Sequence, residues 1–505
     1  MPANYIKSIL DARVYDVAIE TPIDNMTFLS KALKNKILIK REDLQPVFSF
    51  KLRGAYNKII RLTPAQLNKG IIAASAGNHA QGVALAAQKL NIKSFIVMPV
   101  TTPEIKVRSV KESGATVILF GDNFDEAYTH ALELEKKYGY IFIHPYDDHD
   151  VIAGQGTIGL EIARQHTAKI DAVFVPVGGG GLIAGISLFL KYIRPDIKII
   201  GVESDESACL KAAFEKNKRV ILSNVGIFAD GVAVKQIGKE TYRLAKQFVD
   251  EVITVTTDEI CGAIKDIFED NRSIAEPAGA LSLAGLKKYV TKNNYKNKTL
   301  IAIESGANVN FDRLRHISER TELGEDREAI YAVTIPEIKG SFKTFCETLG
   351  NNNITEFNYR YSDLNEAQVF VGIQISSKKD SRGKLVNSLI NKGYAVKDMT
   401  NNELAKLHIR HMVGGRVKNI EDEQIYRFEF PERPGALLEL LTKMGNKWNI
   451  SMFHYRNHGA AYGKVFLGLQ VPASEKKEFK KFLSGLNYRF IEENGNEAYN
   501  LFLKG

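Results

Sequence analysis

From about Ile37 to about Ser305, short apolar runs alternate with amphipathic stretches, and that alternation leaves few folds open to the chain. The runs include Gly70–Ser75, Ser94–Pro99, Thr116–Phe120, Ala172–Pro176, Lys198–Val202 and Thr299–Ile303, each the length of a buried strand. Helical periodicity fills most intervals between them; Asn123–Tyr138, for example, reads as an amphipathic helix. Strand and helix in alternation predict an α/β fold with open, largely parallel sheets covered on both faces. Ligands of such folds bind beyond the carboxyl ends of the strands.

After about Arg327 the texture changes to an internal duplication. Ile330–Glu337 is echoed by Ile425–Glu432, with Gly340 and Gly435 three residues further on. Asn353–Arg360 is echoed by Asn449–Arg456, and Val369–Gly372 by Val465–Gly468. Each copy reads strand, turn, helix, strand, strand and helix, a small α+β module. Two such modules can pair their sheets edge to edge. The expected divisions are a first region at 1–317, a connector at 318–327, one module at 328–400, a linker at 401–423 and a second module at 424–505.

With 505 residues the chain exceeds what one core organises, so several domains are expected. Its 68 basic and 59 acidic residues give a net charge of +9, but without a sustained Lys/Arg run or interleaved aromatics they argue against nucleic acid as a partner. The three cysteines, Cys209, Cys261 and Cys346, are far apart and fit no metal-ligand spacing, so no metal is expected. The start lacks a signal-peptide core and no segment reaches the apolar length of a membrane span, which predicts a cytoplasmic protein without membrane contact.

Five segments could carry chemistry. Ser49–Ala55 places Lys51 near the start of a predicted helix, where the helix dipole and partial burial disfavour its charged form and suit it to Schiff-base chemistry. A solvated helix-face lysine would look the same. Ser75–Gly82 joins a strand to a helix through small residues, a turn that admits a carboxylate or phosphate to backbone N–H groups. Val177–Leu182 contains four consecutive glycines, a costly sequence that forms a nest for one compact phosphate. A dinucleotide fingerprint is not matched in any register of Gly178–Gly185. Glu304–Asn308 ends the last strand with the Ser305 hydroxyl, and Ala275–Ala280 reads as a helix start with Pro277 near its first position.

In this order, and with a tandem repeat behind them, the five segments resemble the fold-type-II pyridoxal-phosphate (PLP) enzymes, specifically the biosynthetic threonine dehydratases with paired ACT-like regulatory modules. The resemblance implies a tryptophan-synthase-β-like catalytic region that converts L-threonine to 2-oxobutanoate and ammonia, the committed step of isoleucine biosynthesis. It assigns Lys51 the covalent link to PLP, Asn78 the phenolate oxygen, and Gly178, Gly179, Gly180, Gly181 and Leu182 the phosphate. Ser305 should meet the pyridine nitrogen and Phe50 should pack near the ring. Ser75, Gly77, Asn78 and His79 should border the substrate carboxylate. Glu304, if turned inward, could protonate the pyridine.

The resemblance also implies a homotetramer, feedback inhibition by isoleucine, and a possible response to valine. Tyr359 and Tyr455, with the turns at Pro336 and Pro431, are candidates for effector contact, although both tyrosines also read as core aromatics. The alternatives are a serine or threonine dehydratase or racemase of the same fold, which usually lacks the repeat, and a catalytically silent amino-acid sensor.

Overall fold

In a computed structural model the chain forms two compact units, Met1–Thr321 and Glu322–Gly505. The structure describes all residues except 1, 325–327, 351, 362–364, 376–380, 403, 406–408, 413, 415, 416, 418, 419, 432–435, 446, 457–461, 487 and 505. The end of the 318–327 connector, parts of the 401–423 linker and most of the turn after Pro431 therefore lie outside the described residues.

The first unit holds two sheets. One comprises β1 (Ile23–Asn25), β2 (Lys36–Arg41), β7 (Ala172–Pro176), β8 (Lys198–Ser204), β9 (Glu251–Val255) and β10 (Thr299–Glu304) in the order β1-β2-β10-β7-β8-β9. Only β1 runs antiparallel to its neighbour. The other comprises β3 (Ile71–Ala74), β4 (Ser94–Met98), β5 (Thr116–Leu119) and β6 (Ile141–Phe142), all parallel, in the order β5-β4-β3-β6. Every residue of β3 and of β7 is buried, as strands covered on both faces require. The helix read from sequence at Asn123–Tyr138 forms over Phe124–Tyr138, with Asn123 capping it and Gly139 ending it in the left-handed region.

The helix Lys51–Ile59 lies close against the helix Asn78–Leu90 because residue 82 is glycine. A Cβ there would stand 3.0 Å from the Leu52 Cα. That contact brings Lys51 and Asn78, 27 positions apart in the chain, to one place.

The second unit is built on one eight-stranded sheet. The first copy supplies β11 (Glu328–Pro336), β12 (Ile354–Arg360), β13 (Glu366–Gln374) and β14 (Ala395–Asp398). The second supplies β15 (Glu423–Pro431), β16 (Asn449–Arg456), β17 (Tyr462–Gln470) and β18 (Arg489–Glu492). The order β14-β11-β13-β12-β16-β17-β15-β18 joins the copies through the antiparallel pair β12–β16. Alternate residues such as Tyr331, Val333, Phe357, Tyr426 and Phe453 form a core with Phe345, Leu389, Leu441 and Leu483 of the helices. The intervening residues Ile330, Phe370, Ile425 and Met452 point to the other face, where Ala405 and Tyr499 meet them. Each copy ends in a strand that the periodicity did not predict. Both β14 and β18 are four-residue edge strands and almost entirely exposed, so they carry no apolar alternation to read.

Candidate active site

Segments Phe48–Phe50 and Ser305–Ala307 lie side by side. Phe50 N donates to the Ser305 carbonyl at 3.3 Å, Ala307 N donates to the Phe48 carbonyl at 2.9 Å, and Ser49 bridges to Gly306. This pairing fixes the end of β10 against the start of the Lys51 helix. The helix is held from beneath by Arg53, which is fully buried and ion-paired to Glu42 at 2.8 Å and to Glu161 at 2.5 Å. Lys40 meets the same Glu161 at 2.6 Å. Arg53 thus anchors the helix two residues after the lysine that faces the cavity.

All twelve residues named from the sequence for this region line one cavity of about 820 Å³: Phe50, Lys51, Ser75, Gly77, Asn78, His79, Gly178 to Gly181, Leu182 and Ser305. It opens beyond the carboxyl ends of β3, β7 and β10, as the topology requires. The Lys51 ammonium stands 5.2 Å from the Phe50 ring centroid. Burial pushes its pKa down to about 8, against the opposing pull of Glu276.

The glycine loop ends in the helix Gly181–Ile193, which begins one residue earlier than Leu182. Gly180 has φ +91°, and the first N–H groups of the helix have no intrahelical partner. A Cβ at Gly179 would strike the Tyr146 ring at 2.1 Å, so the loop passes too close to that ring to carry a side chain there. This donor set, with a helix dipole behind it, fits a phosphate, and a half-buried lysine with a lowered pKa fits an aldehyde. The residues present therefore suit PLP.

Other placements refine the sequence reading. His79 borders the cavity, but its Nε2–H donates to the Ile143 carbonyl at 2.8 Å, and burial, followed by the charge of Lys51, pushes its pKa down to about 3. The ring is neutral, with that nitrogen already engaged. Ser305 Oγ lines the cavity and lies 3.2 Å from the Ala278 carbonyl. Glu304 does not turn inward. It sits on the opposite face of β10, with Arg41 at 3.1 Å and Ser273 at 3.0 Å, so strand alternation removes it as a proton source for the cavity.

A family model described as pyridoxal-phosphate-dependent enzyme matches residues 14–306. A second, the C-terminal regulatory domain of threonine dehydratase, matches 319–409 and 414–503. The biosynthetic L-threonine dehydratase of Burkholderia multivorans is 52% identical over 99% of this chain and 99% of that protein. The chain belongs to the biosynthetic threonine dehydratase family. The solved structure of the processed form of threonine deaminase isoform 2 from Solanum lycopersicum covers 63% of this chain and 93% of that one, at 50% identity and a TM-score of 0.62. Maize serine racemase covers 62% of this chain and 95% of its own, at 32% identity and a TM-score of 0.58. As a member of the family the protein is a PLP-dependent lyase with a regulatory domain.

The cavity also contains residues the sequence reading passed over. Glu276, buried at the start of the helix Pro277–Asn293, accepts a hydrogen bond from Asn78 Nδ2 at 2.6 Å. Burial and then the charge of Asp230 push its pKa up to about 7. In the sequence only Pro277 stood out, and the carboxylate before it looked like an ordinary helix-start residue. Two ion pairs, Lys106–Asp230 at 2.7 Å and Lys235–Asp125 at 2.6 Å, tie the lobe of the four-stranded sheet to the loop Val225–Gly238 at the rim. Nothing local in the sequence marks these partners.

In the second unit both candidate tyrosines are core residues, Tyr359 5% and Tyr455 4% exposed, but only Tyr359 lines a small recess. Its hydroxyl contacts Glu337 Oε1 at 2.8 Å and the Ile450 carbonyl at 3.0 Å. Among the described residues no helix is long and apolar enough to cross a membrane.

Proposed function

We propose that the protein dehydrates and deaminates L-threonine to 2-oxobutanoate and ammonia, and that its second unit senses isoleucine. The convergence of Lys51, the glycine loop and Ser305 on one cavity carries the first half of this reading. PLP, when bound, supplies the electron sink. Lys51 would hold it covalently, and Gly178–Gly181 with Leu182 would hold its phosphate. The lowered pKa leaves the Lys51 amine a substantial neutral fraction near neutral pH, so Nζ can take the Cα proton of threonine. Ser75, Gly77 and Asn78, at the start of the helix Asn78–Leu90, would orient the substrate carboxylate against free backbone N–H groups. Ser305 would offer the ring nitrogen a neutral hydroxyl by turning its proton from the Ala278 carbonyl, and such a partner would favour elimination over transamination.

For the second half, the candidate is the recess of about 20 Å³ lined by Glu337 and Tyr359, which would have to open to admit an amino acid. Its carboxylate suits an ammonium group, and Phe342, Leu441, Met444 and Trp448 suit a branched apolar side chain. Valine would compete there, and a cytoplasmic homotetramer completes the reading. The match of residues 319–409 and 414–503 to the regulatory domain of threonine dehydratase weighs against a racemase activity.

The test is 2-oxobutanoate release from L-threonine by the PLP-loaded protein, with and without isoleucine. Turnover suppressed by isoleucine is expected, with Lys51→Ala inactive and Tyr359→Phe less sensitive to isoleucine. Release of D-serine from L-serine in place of 2-oxobutanoate would overturn the assignment.

A further inference from the structure

Four segments distant in the chain form one hydrogen-bonded series behind the cavity. Asn308 Nδ2 donates to the Val47 carbonyl at 2.8 Å and to Asn78 Oδ1 at 2.7 Å. Asn78 Nδ2 in turn donates to Glu276 Oε1 at 2.6 Å. The direction of the series follows from its first member. A backbone carbonyl only accepts, so the Asn308 atom facing Val47 must be the nitrogen. Its second N–H then requires an oxygen from Asn78, which turns the Asn78 nitrogen toward Glu276.

Glu276 is itself fixed. It is 4% exposed, its backbone N–H donates to the Gly306 carbonyl at 3.1 Å, and a Cβ added to Gly306 would come within 2.7 Å of its carboxylate. The Asn78 carboxamide is therefore gripped at both ends, with one of its two N–H groups engaged by Glu276 and the other left for the cavity that Asn78 lines.

We propose that Glu276 and Asn308 are positioning residues which hold the Asn78 carboxamide in the one orientation that presents an N–H to the cofactor. The inference rests on the reading that PLP occupies the cavity. An unclamped carboxamide would spend part of its time with the oxygen turned inward, where it repels a phenolate oxygen.

Holoprotein carrying Asn308→Asp, Glu276→Ala, Glu276→Gln or Asn78→Ala tests this, with PLP affinity and the visible absorption band of bound PLP measured well above pH 8, where Lys51 is neutral. Asn308→Asp puts an acceptor against Asn78 Oδ1, and Glu276→Ala removes the far acceptor. Each is expected to weaken PLP binding about tenfold and displace the band. Glu276→Gln keeps an acceptor oxygen and should retain both properties. In an Asn78→Ala background neither change should weaken binding further.

Wild-type affinity and band in both single variants would overturn the proposal, as would an equal loss in the Asn78→Ala background, which marks a merely structural role. If Glu276→Ala fails to fold, Asn308→Asp at its half-buried position decides alone. A wild-type chain that binds no PLP would instead overturn the parent reading.

Discussion

Asn358 and His454 are counterparts in the duplication, 96 residues apart, and they face each other across β12 and β16, with His454 Nδ1–H donating to Asn358 Oδ1 at 3.1 Å. A pseudo-twofold axis therefore passes between them, and the strand order on one side repeats in reverse on the other. Two ACT-like copies become one sheet at this pair.

The junction gives the first prediction. Asn358→Pro removes a ladder N–H from a central strand and leaves a buried acceptor unpaired, at a cost of ~1–3 kcal/mol. Isoleucine inhibition should be lost while threonine turnover persists, read as kcat with and without isoleucine.

Lys51 and Glu276 predict a pH dependence. The Lys51 amine is neutral above its pKa of about 8, so PLP uptake by the apoprotein should accelerate as pH rises through that value. The Glu276 carboxylate raises the Lys51 pKa, so Glu276→Gln should lower it and move the uptake profile to lower pH. Stopped-flow absorbance across this range checks the sign. An upward shift would contradict it.

Arg53 predicts a stability cost without direct involvement in chemistry. Arg53→Ala leaves Glu42 and Glu161 buried without their main partner and should destabilise the first unit by ~3–5 kcal/mol, measured by urea unfolding. Arg53→Lys should recover little, because one ammonium cannot serve two carboxylates held at opposite sides of a guanidinium.

Two glycines should respond differently. Gly180→Ala must hold φ near +91° with its Cβ 2.6 Å from Ile237, a strain of ~1–3 kcal/mol expressed as weaker PLP binding. Gly77→Ala meets nothing within 4 Å at an ordinary φ, so PLP affinity should change far less. Titration of each apoprotein with PLP compares them.

The ion pairs Lys106–Asp230 and Lys235–Asp125 at the cavity rim are partly exposed, so each should contribute only ~0.2–1 kcal/mol. Lys235→Ala should raise the KM for threonine less than about fivefold, and added salt should shrink the difference.

The sequence by itself determined the alternation of strand and helix, the duplication, and the motifs around Lys51, Asn78, the four glycines and Ser305. Each of these is a local consequence of residue type, such as period, backbone freedom or a helix start. Only the tertiary structure decided that Glu276 and Asn308 meet Asn78, that Glu304 faces away from Ser305, and that Tyr359 reaches Glu337 while Tyr455 does not line that recess. These depend on which residues long chain separations bring within 3 Å or so and on which side of a strand a carboxylate falls. A buried Glu before a proline and a surface Glu before a proline are the same letters. Desolvation and the charge of Asp230, 46 residues away, make Glu276 a group whose pKa is pushed up to about 7, and neither is written in its neighbours.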